Sequence, residues 1–487
     1  MTENFEIAAP DAAGMVASLS SLGYSLEAAI ADLVDNSIAA EANQIDVAFT
    51  WEGERSWVAI VDDGRGMTRS ELVTAMTPAA RGPYTERTLK DLGRFGMGLK
   101  TASFSQARQL TVASSGEDGH WTVRTWDLDT VETTGEWRLL HGADPETTVL
   151  IERLRGQQSH GTIVIWRRLN GYDTNELDDE KTSQQFYDGA RRVGQHLGMV
   201  FARFLGSLAL NLQGEAVQSW DPFLGGHQSV QSTPLEELPL GGNRVTVRGF
   251  VLPHAQKLSP AAYDAAGGPN GWLNQQGFYV YRRQRLILAG DWLSLRGMRR
   301  EEKYNLARIS VDIPAELDSE WSVDVRKSKV VPPIALRRHL ERIAKRVRDQ
   351  AAEVLRHRGQ ITARTHGASH VYMWRVERHD GRIRCKINRN HPLVKEVLRT
   401  SESRSPVVTA LIVMLEETVP VEALRVMHET DTADDPEPFR DVSKGVENQV
   451  AQMIYESLLN QGRTPAQARQ SLGEMPPFNQ IDGFWHQ

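Results

Sequence analysis

Apolar and polar positions along the first 205 residues follow two different periods. A helical period covers about residues 25–42, alternation of polar and apolar residues predicts a strand at 44–49, and a short apolar run predicts another strand at 57–61. The same patterns predict strands at 110–114, 121–126, 148–154 and 162–167, followed by a helix at about 181–205. We therefore expect a first α+β domain over residues 1–205.

One long segment of this domain lacks an apolar period. Residues 77–98, TPAARGPYTERTLKDLGRFGMG, are polar and contain Gly and Pro, which predicts a loop. A helix is predicted to begin near Leu99, directly after it. Long loops inside compact domains are usually functional, so this segment is a candidate part of a site.

The rest of the chain predicts two further domains. Residues 206–360 contain the strand-like segments LALNL, VTVRGFVL, GFYVYRRQRLIL and WSVDVRKSKVV, and they end in a helix. Residues 361–487 open with the strand-like HVYMWRVER and GRIRCKINR and then turn helical at 406–427 and 446–461, with the acidic HETDTADDPEP between the helices. We expect a mixed α+β domain and then a mostly helical one.

Composition is consistent with a multidomain cytoplasmic protein. The chain has 487 residues, 40% of them hydrophobic and 24% charged, and a single cysteine, Cys385. No run of about 18 apolar residues could span a bilayer, and the first residues lack the pattern of a secretion signal. We expect no membrane partner and no structural zinc site, which would need four ligands.

The net charge of −7 does not by itself favour nucleic-acid binding, so a local basic patch would have to support it. The densest patch lies on the helix predicted near residues 334–348. Its basic residues are Arg337, Arg338, Arg342, Lys345, Arg346 and Arg348. The alternative to a nucleic-acid surface is a solvated helix face with ion pairs inside the chain.

Two polar side chains interrupt an otherwise apolar helix in the segment IADLVDNSIAA. Asp32 and Asn36 are four residues apart, so their oxygen-bearing side chains project from the same helix face. A carboxylate out of water needs a partner, and a bound ion with its ligand would satisfy this pair. The alternative is a polar helix edge that faces solvent.

A second polar cluster follows the apolar strand of AIVDDGRGM. Asp62 and Asp63 end the strand, and Gly64 and Gly66 bracket Arg65. Glycine tolerates positive φ and lets backbone approach a ligand, and a carboxylate at the base of a pocket can accept a hydrogen bond from an exocyclic amine such as that of adenine. The alternative is an ordinary hairpin turn, in which Asp-Gly is common.

A third cluster is the glycine-rich LGRFGMGLKTAS. Gly93, Gly96 and Gly98 precede the predicted helix, where free backbone amides and the helix dipole favour phosphate and Lys100 offers a further cation. The spacing from Gly93 to Gly98 nearly matches a P-loop. Leu99 stands before Lys100, however, and the polar YTERTLKDL upstream is no strand, so we reject that interpretation.

Taken in order, these segments resemble the ATPases of the gyrase, Hsp-type chaperone, histidine kinase and MutL (GHKL) superfamily. Its motifs are an acid followed four residues later by Asn, a DxGxG turn, a glycine loop and a late Gly-Thr before a strand. They are matched by Asp32 and Asn36, by Asp62, Gly64 and Gly66, by Gly93, Gly96 and Gly98, and by Gly161 and Thr162. The resemblance implies a Bergerat-type α/β sandwich, then a transducer domain of the ribosomal-S5-domain-2-like α+β kind, then a mixed, mostly helical C-terminal domain.

The resemblance also implies that the cofactors are ATP and Mg²⁺. In the family pattern, Asn36 would hold Mg²⁺ as the metal ligand, Asp62 would recognise the adenine amine, and the glycine loop would wrap the phosphates. The full nucleotide-binding set carried over is Asn36, Asp62, Gly64, Gly66, Met67, Gly93, Phe95, Gly96, Gly98, Leu99, Lys100 and Thr162.

Two residues are expected to be catalytic. Relatives that hydrolyse ATP usually carry Glu as the general base where this chain carries Asp32, which is one methylene shorter, so we expect a slow ATPase. The segments GFYVYRRQRLI and VDVRKSKV resemble the MutL transducer, in which a lysine reaches the γ-phosphate. Lys329 matches that lysine, and Lys327 is the nearby alternative.

Within the superfamily, DLVDNSIAA and GRFGMGLKTASFSQ are most similar to the MORC ATPases, especially bacterial relatives linked to restriction-modification and phage defence. The resemblance implies an ATP-dependent homodimer that acts on double-stranded DNA or with methyltransferase or nuclease proteins of the same locus. A chaperone-like remodeller of protein partners is the alternative. A kinase is disfavoured because no phospho-acceptor histidine helix precedes the ATPase segment, and a topoisomerase because no room is left for a cleavage domain.

Overall fold

The computed structural model divides the chain into two compact units, residues 1–352 and 353–487. Among the described residues, no helix is both long enough and apolar enough to cross a bilayer. The structure describes residues 11–21, 23–78, 98–116, 118–172, 179–317, 320–321, 330–356, 373–379, 382–400, 406–418, 446–460, 462–473 and 478.

The first unit begins with a mainly antiparallel sheet, in which the described residues form eight strands. In chain order these are β1 (Gln44–Thr50), β2 (Trp57–Asp62), β3 (Ala107–Ser115), β4 (Thr122–Asp127), β5 (Leu140–His141), β6 (Gly161–Leu169), β7 (Ala209–Leu212) and β8 (Glu215–Ala216). Their order across the sheet is β5-β4-β3-β6-β2-β1-β7-β8, and only β1 and β7 pair in parallel. The central position of β2 and β6 brings Asp62 and Thr162 opposite each other.

Helices cover both faces of this sheet, because alternate side chains of the central strands point to opposite sides. Ile60 packs into a core on one face, whereas Val61 packs on the other face against Leu150 and Ile151. The helices of this part are α1 (Ala12–Ser20), α2 (Leu26–Ala39), α3 (Arg69–Met76), α4 (Gly98–Gln106), α5 (Leu128–Thr134), α6 (Pro145–Arg155) and α7 (Asp179–Val200). The arrangement is an α/β sandwich.

Helix α2, which carries two of the candidate residues, confirms the helix predicted at about 25–42. Ser25 caps its N-terminus, and the Ser25 hydroxyl accepts a hydrogen bond from the Ala28 amide at 3.2 Å. Its side chains from Ala29 to Asp35 are all buried, so the helix lies inside the sandwich rather than on its surface. Asp32 is therefore held in a fixed, largely water-free position.

The strand predicted at 148–154 is wrong, because this segment belongs to helix α6. Asp144 caps that helix by accepting a hydrogen bond from the Thr147 amide at 2.9 Å, and Pro145 occupies the first turn. The buried residues Thr147, Leu150 and Ile151 have the i, i+3, i+4 spacing of a helix face. The β-branched residues suggested a strand, but the capping signal just upstream decided the outcome.

The segment LALNL also differs from its predicted position. We expected it to open the second domain, but its strand β7 pairs in parallel with β1, so the first sheet continues beyond residue 205. Helix α7 ends at Val200 rather than near 205. The proposed boundaries at 205 and 360 remain predictions.

A second sheet follows in the same unit, with six strands in the described part of the chain. In chain order they are β9 (Gln231–Ser232), β10 (Glu236–Leu240), β11 (Asn243–Val251), β12 (Gly277–Arg282), β13 (Arg285–Asp291) and β14 (Ala307–Ile313). Strands β10, β11, β14, β12 and β13 lie side by side in that order, β9 pairs with β11, and β12 and β14 are parallel. Tyr279, Tyr281 and Leu286 of this sheet are buried in the same core as α2 and α7. The helices of this part are α8 (Pro260–Gly267), α9 (Gly271–Asn274), α10 (Ile334–Arg356) and the 3₁₀ helices Ala255–Lys257, Glu302–Tyr304 and Ala315–Leu317.

The second compact unit combines a hairpin with helices, as predicted. Strands β15 (Trp374–His379) and β16 (Arg382–Ile387) pair antiparallel. Helices α11 (Pro392–Thr400), α12 (Pro406–Glu417), α13 (Val446–Asn460) and α14 (Pro465–Gly473) follow. The predicted helix at 406–427 ends at Glu417 in the structure, and residues 419–427 lie outside the described part. The expected fold class, α+β with a mixed, mostly helical C-terminal region, is confirmed.

Candidate functional site

Asp62 lies at the end of β2, in the centre of the first sheet. Its carboxylate is buried and accepts hydrogen bonds from the Ser37 hydroxyl at 2.7 Å and from the Gly64 amide at 3.0 Å. A carboxylate has about four acceptor positions, so these two bonds leave capacity for a donor on a ligand. Asp62 can therefore serve as an acceptor at the base of a pocket.

Burial raises the pKa of the Asp62 carboxyl from 3.8 to about 6, although hydrogen bonds from Ser37 and from the Gly64 and Thr162 backbones favour the ionised form. The folded protein thus holds this proton more tightly than the unfolded chain does. The stability from this group is present at low pH and is lost as pH rises through about 6.

This titration predicts a pH-dependent difference between two proteins. Without nucleotide, the free energy of unfolding of the parent, measured in urea, should fall relative to that of Asp62→Asn between about pH 4 and about pH 7. Parallel pH profiles would contradict this prediction.

The adjacent Asp63 has a different role. Its carboxylate accepts hydrogen bonds from the Asn43 amide at 2.7 Å and the Gln44 amide at 2.9 Å, at the start of β1. It therefore ties the turn to the neighbouring strand. The structure thus assigns the two acids of the Asp-Asp pair to different tasks, with Asp62 directed into the sandwich.

Close backbone approach explains the glycines around Asp62. Gly66 has φ of +64°, and a Cβ built there would lie 1.7 Å from the Ser115 carbonyl oxygen. Gly161 has φ of +131°, and its Cβ would lie 2.2 Å from the Asp62 carbonyl oxygen. A Cβ on Gly64 would meet Ala40 at 2.9 Å. Only glycine fits these three positions, so this segment is no ordinary hairpin turn.

Hydroxyl groups join this turn to the adjacent strands. The Ser114 hydroxyl lies 2.9 Å from the Thr162 hydroxyl and accepts a hydrogen bond from the Met67 amide at 3.0 Å. Thr162 is buried opposite Asp62, as its predicted position in the pocket requires. The structure therefore brings Asp62, Gly64, Gly66, Met67 and Thr162 into one cluster.

The acids of α2 form the other part of the site. Asp32 is only 7% exposed, and its Oδ2 accepts a hydrogen bond from the Tyr24 hydroxyl at 3.2 Å. Asp35 is 1% exposed and accepts two hydrogen bonds from Arg285. Asn36 is exposed, so its carboxamide is accessible to a ligand. The buried Asp32 and the exposed Asn36 rule out a simple solvent-facing helix edge.

Helix α4 begins beside Asp32. A Cβ built on Gly98 would lie 3.8 Å from Asp32 Oδ2, so the N-terminal turn of α4 adjoins this carboxylate. Leu99 is half-buried there. The Lys100 side chain is buried, and its ammonium donates a hydrogen bond to the Ala75 carbonyl at 2.8 Å. A phosphate contact by Lys100 remains a prediction.

Several predicted site residues lie outside the described part of the chain. They are Gly93, Phe95, Gly96, Lys327 and Lys329. Their roles as phosphate-binding loop and γ-phosphate sensor therefore remain predictions. Sequence reasoning also missed residues that contact the site, namely Tyr24, Ser37, Ser114 and Arg285. Their side chains reach the site from several elements, and no local pattern signals such long-range contacts.

The residues present fit a magnesium nucleotide. Nucleotide-bound Mg²⁺ takes one or two protein oxygens and completes its shell with phosphate and water, so an exposed carboxamide at Asn36 is sufficient. Among the described residues, no group of three or more His, Cys, Asp or Glu side chains forms a separate metal site. A buried acceptor at Asp62 suits an adenine amine. The donor set is therefore consistent with Mg²⁺ and ATP.

Three of the six basic residues in the predicted patch of helix α10 make ion pairs inside the chain. Arg342 and Arg346 both pair with Glu236. The Arg348 guanidinium lies 3.8 Å from the Tyr304 ring centroid and pairs with Glu301 at 3.2 Å. These contacts favour the intrachain alternative over a nucleic-acid surface on this helix.

Comparison with known proteins agrees with this geometry. A family model described as a histidine kinase-, DNA gyrase B- and HSP90-like ATPase matches residues 24–162. ATPase morc-1 of Caenorhabditis elegans is 33% identical over 91 residues, which is 19% of this chain and 10% of that protein. The DNA mismatch repair protein MutL of Rhodospirillum rubrum is 31% identical over 151 residues, 28% of this chain and 24% of that protein. MutL of Rhodopseudomonas palustris is 33% identical over 97 residues, 19% of this chain and 16% of that protein.

The family model covers only residues 24–162. The matched part of the chain spans about a quarter or less of the length of each of these relatives, so they do not define the activity of the whole protein. The match over residues 24–162 contains α2, the Asp62 turn and Thr162, and the sandwich has the expected architecture. Residues 24–162 are therefore an ATP-binding domain of the GHKL ATPase superfamily, with MORC and MutL proteins among its relatives.

Proposed function

We propose that the protein binds ATP with Mg²⁺ at this site, hydrolyses it slowly, and uses the nucleotide to control an ATP-dependent homodimer. The main support is the placement of two buried carboxylates, Asp62 within the sheet and Asp32 beside the exposed Asn36 and the start of α4. Asp62 can accept a hydrogen bond from the adenine base, and Asp32 can accept a proton near the phosphates. This division is what nucleotide hydrolysis requires.

In this proposal each group of residues has one task. Asp62 accepts a hydrogen bond from the adenine amine, and the backbone of Thr162 helps to hold that carboxylate. The carboxamide of Asn36 holds Mg²⁺, which neutralises phosphate charge when bound. The phosphates are wrapped by backbone amides of the loop and the start of α4, with contributions from Gly93, Phe95, Gly96, Gly98, Leu99 and Lys100.

Asp32 is proposed to be the general base. The Tyr24 hydroxyl, at 3.2 Å, and Arg285, at 3.9 Å, orient its carboxylate. An oriented base within reach of a water can accept the proton that the water loses on attack. Because Asp is shorter than Glu, it reaches that water only in a tightly closed state, which accounts for a slow rate. Lys329, or Lys327 as the alternative, would sense the γ-phosphate.

The Asp32→Asn variant tests this assignment. An amide of nearly the same size cannot accept the proton, so we expect turnover to fall at least about 100-fold while ATP affinity stays within about threefold. Single-turnover hydrolysis and calorimetry measure the two quantities. Asp32→Glu, which keeps the carboxylate, should retain turnover. If Asp32→Asn turned over ATP at the parental rate, Asp32 would not be the base.

The proposed dimer follows from the resemblance to MORC and MutL proteins. ATP would order the loop at about residues 77–98, and two subunits would then dock because the closed state binds ATP more tightly. Hydrolysis would separate the subunits again. A mass measurement with and without a non-hydrolysable ATP analogue tests this step. We expect the mass to double with the analogue, and an unchanged mass would refute ATP-gated dimerisation.

We propose double-stranded DNA, or DNA-modifying partners such as a methyltransferase or nuclease, as the target, in a restriction or phage-defence setting. ATP turnover should then rise with double-stranded DNA, and the stimulation should disappear as salt increases, because phosphate contacts release counterions. The alternative is a chaperone-like remodeller of protein partners, because the intrachain ion pairs of α10 weaken the case for a DNA surface on that helix. Turnover that ignores DNA at every salt concentration would support the remodeller.

A further inference from the structure

The hairpin between β12 and β13 has an unusual turn. Its two central residues, Arg283 and Gln284, have φ of +49° and +70°, between the paired residues Arg282 and Arg285. Two-residue hairpin turns with both φ values positive strongly prefer Asn-Gly, because other side chains are strained in this conformation. Such strain persists only where the surroundings hold it in place. The packing around Arg285 identifies what holds this turn.

Arg285 extends from this turn into the first sandwich. Its side chain is 6% exposed, and its Nε lies 2.7 Å from both carboxylate oxygens of Asp35. Its Nη1 donates a hydrogen bond to the Leu286 carbonyl at 2.9 Å, which fixes the guanidinium against its own strand. A buried charge is strongly unfavourable unless it is paired. The second sheet and α2 therefore satisfy each other's charges at this point.

The same guanidinium also reaches Asp32. Arg285 Nη2 lies 3.9 Å from Asp32 Oδ1, while the Tyr24 hydroxyl binds the other oxygen, Oδ2, at 3.2 Å. Asp32 is thus held between one group from the first domain and one from the second sheet. Asp35 directly precedes Asn36, so Arg285 fixes the turn of α2 that carries Asp32 and Asn36, the two candidate residues for the phosphate end of the site.

We propose that Arg285 is a positioning residue that couples the second sheet to the chemistry at α2. Arg285 holds Asp32 and the turn containing Asn36 in fixed positions. ATP turnover therefore depends on how the second sheet packs on the ATPase domain. This inference rests on the proposed role of Asp32 as the base. A shift of about 1 Å in a base can lower the rate about 100-fold, so even a small loosening of α2 would be measurable.

A matched control distinguishes positioning from general packing. Arg203, which lies between α7 and β7, also joins the first part of the chain to the second sheet, since it pairs with Asp312 of β14 and its guanidinium lies 3.4 Å from the Tyr281 ring centroid. It contacts neither Asp32 nor Asp35 in the described contacts. The Arg203 side chain is 29% exposed and that of Arg285 only 6%, so the free energy of unfolding of both variants is measured in urea as well. If Arg285 only fastened the second sheet to the first part of the chain, α2 exchange and turnover would change no more than the loss of global stability explains.

The test compares these two variants of the full chain. Hydrogen exchange of the α2 amides is measured without nucleotide, and turnover and affinity are measured with Mg-ATP. For Arg285→Gln we expect exchange over the α2 residues around Asp35 to accelerate at least about tenfold, and turnover to fall about 100-fold with ATP affinity within about threefold. Arg203→Gln should change each quantity by less than about twofold.

Several outcomes would overturn the proposal. They are equal effects in the two variants, unchanged α2 exchange in Arg285→Gln, and a loss of ATP affinity that matches the loss of turnover. If Arg285→Gln does not fold, Arg285→Lys, which keeps the charge but not the fork, replaces it with the same expectations at smaller amplitude. If the parent protein does not bind Mg-ATP, the proposed function fails, and the exchange data still show whether Arg285 holds α2.

Discussion

Replacing Gly66 with alanine should lower the free energy of unfolding by ~3 to 5 kcal/mol, because the new methyl group would overlap a fixed carbonyl and sit at an unfavourable φ. Its Cβ would lie 1.7 Å from the Ser115 carbonyl oxygen of β3, and φ at this position is +64°. The atom it meets is backbone at the end of β3, where Ser115 pairs with Gly161 of β6, so it cannot swing aside as a side chain would. Urea unfolding of the purified variant measures this change.

Gly53 supplies the matched control. It has φ of +58° in the turn between β1 and β2, but a Cβ built there meets nothing within 4 Å. The free energy of unfolding of Gly53→Ala should therefore fall by only about 1 kcal/mol, which is the cost of a positive φ for alanine. If Gly66→Ala were no less stable than Gly53→Ala, the close approach of the Asp62 turn to β3 would be wrong. The fraction of Gly66→Ala that folds should also bind ATP more weakly than the parent protein, because the turn after Asp62 would be displaced.

Asp62→Asn should reduce ATP affinity at least about 100-fold, because an amide NH2 donor would replace one of the carboxylate oxygens that can accept a hydrogen bond from the adenine base. The Ser37 hydroxyl donates to one oxygen of Asp62 and the Gly64 amide donates to the other, so the NH2 of an asparagine would face one of these two donors in either orientation. Calorimetric titration with Mg-ATP measures the affinity. In a second titration, the parent protein should bind Mg-GTP more weakly than Mg-ATP, because guanine presents an acceptor at this position.

Asp63→Asn is the control for this variant. Asp63 carries the same charge one residue away, but it caps the Asn43 and Gln44 amides rather than facing the pocket. One asparagine oxygen can still accept from those amides, so ATP affinity should stay within about threefold. Equal losses in the two variants would mean that the net charge of the turn, rather than the Asp62 acceptor, determines binding.

Local patterns predicted the central elements of the ATPase domain. The helical period at about residues 25–42 predicted α2, and the apolar run at 57–61 predicted β2, because both segments carry a clear apolar pattern. The segment at 148–154 failed because β-branched residues favour strands, while Asp144 and Pro145 begin a helix. Close to a helix start, the capping residues were the more informative signal.

The candidate site was only partly predictable for a related reason. Asp32, Asn36 and Asp62 stand in short motifs whose spacing is local, so the sequence is sufficient to find them. Arg285 meets Asp35 across 250 residues, and its neighbours along the chain are equally basic. Nothing in a local pattern distinguishes the one arginine that is buried against a carboxylate. Such contacts depend on how two sheets pack, which only the fold reveals.

The central claim is that residues 24–162 bind ATP through Asp62 and a magnesium held at Asn36. Calorimetric titration of Mg-ATP into the parent and into Asn36→Ala tests it most directly. We expect heat of binding in the parent, a weaker response without Mg²⁺, and a loss of at least about tenfold in affinity for Asn36→Ala. Absence of heat in the parent, or Asn36→Ala titrating like the parent, would contradict the account.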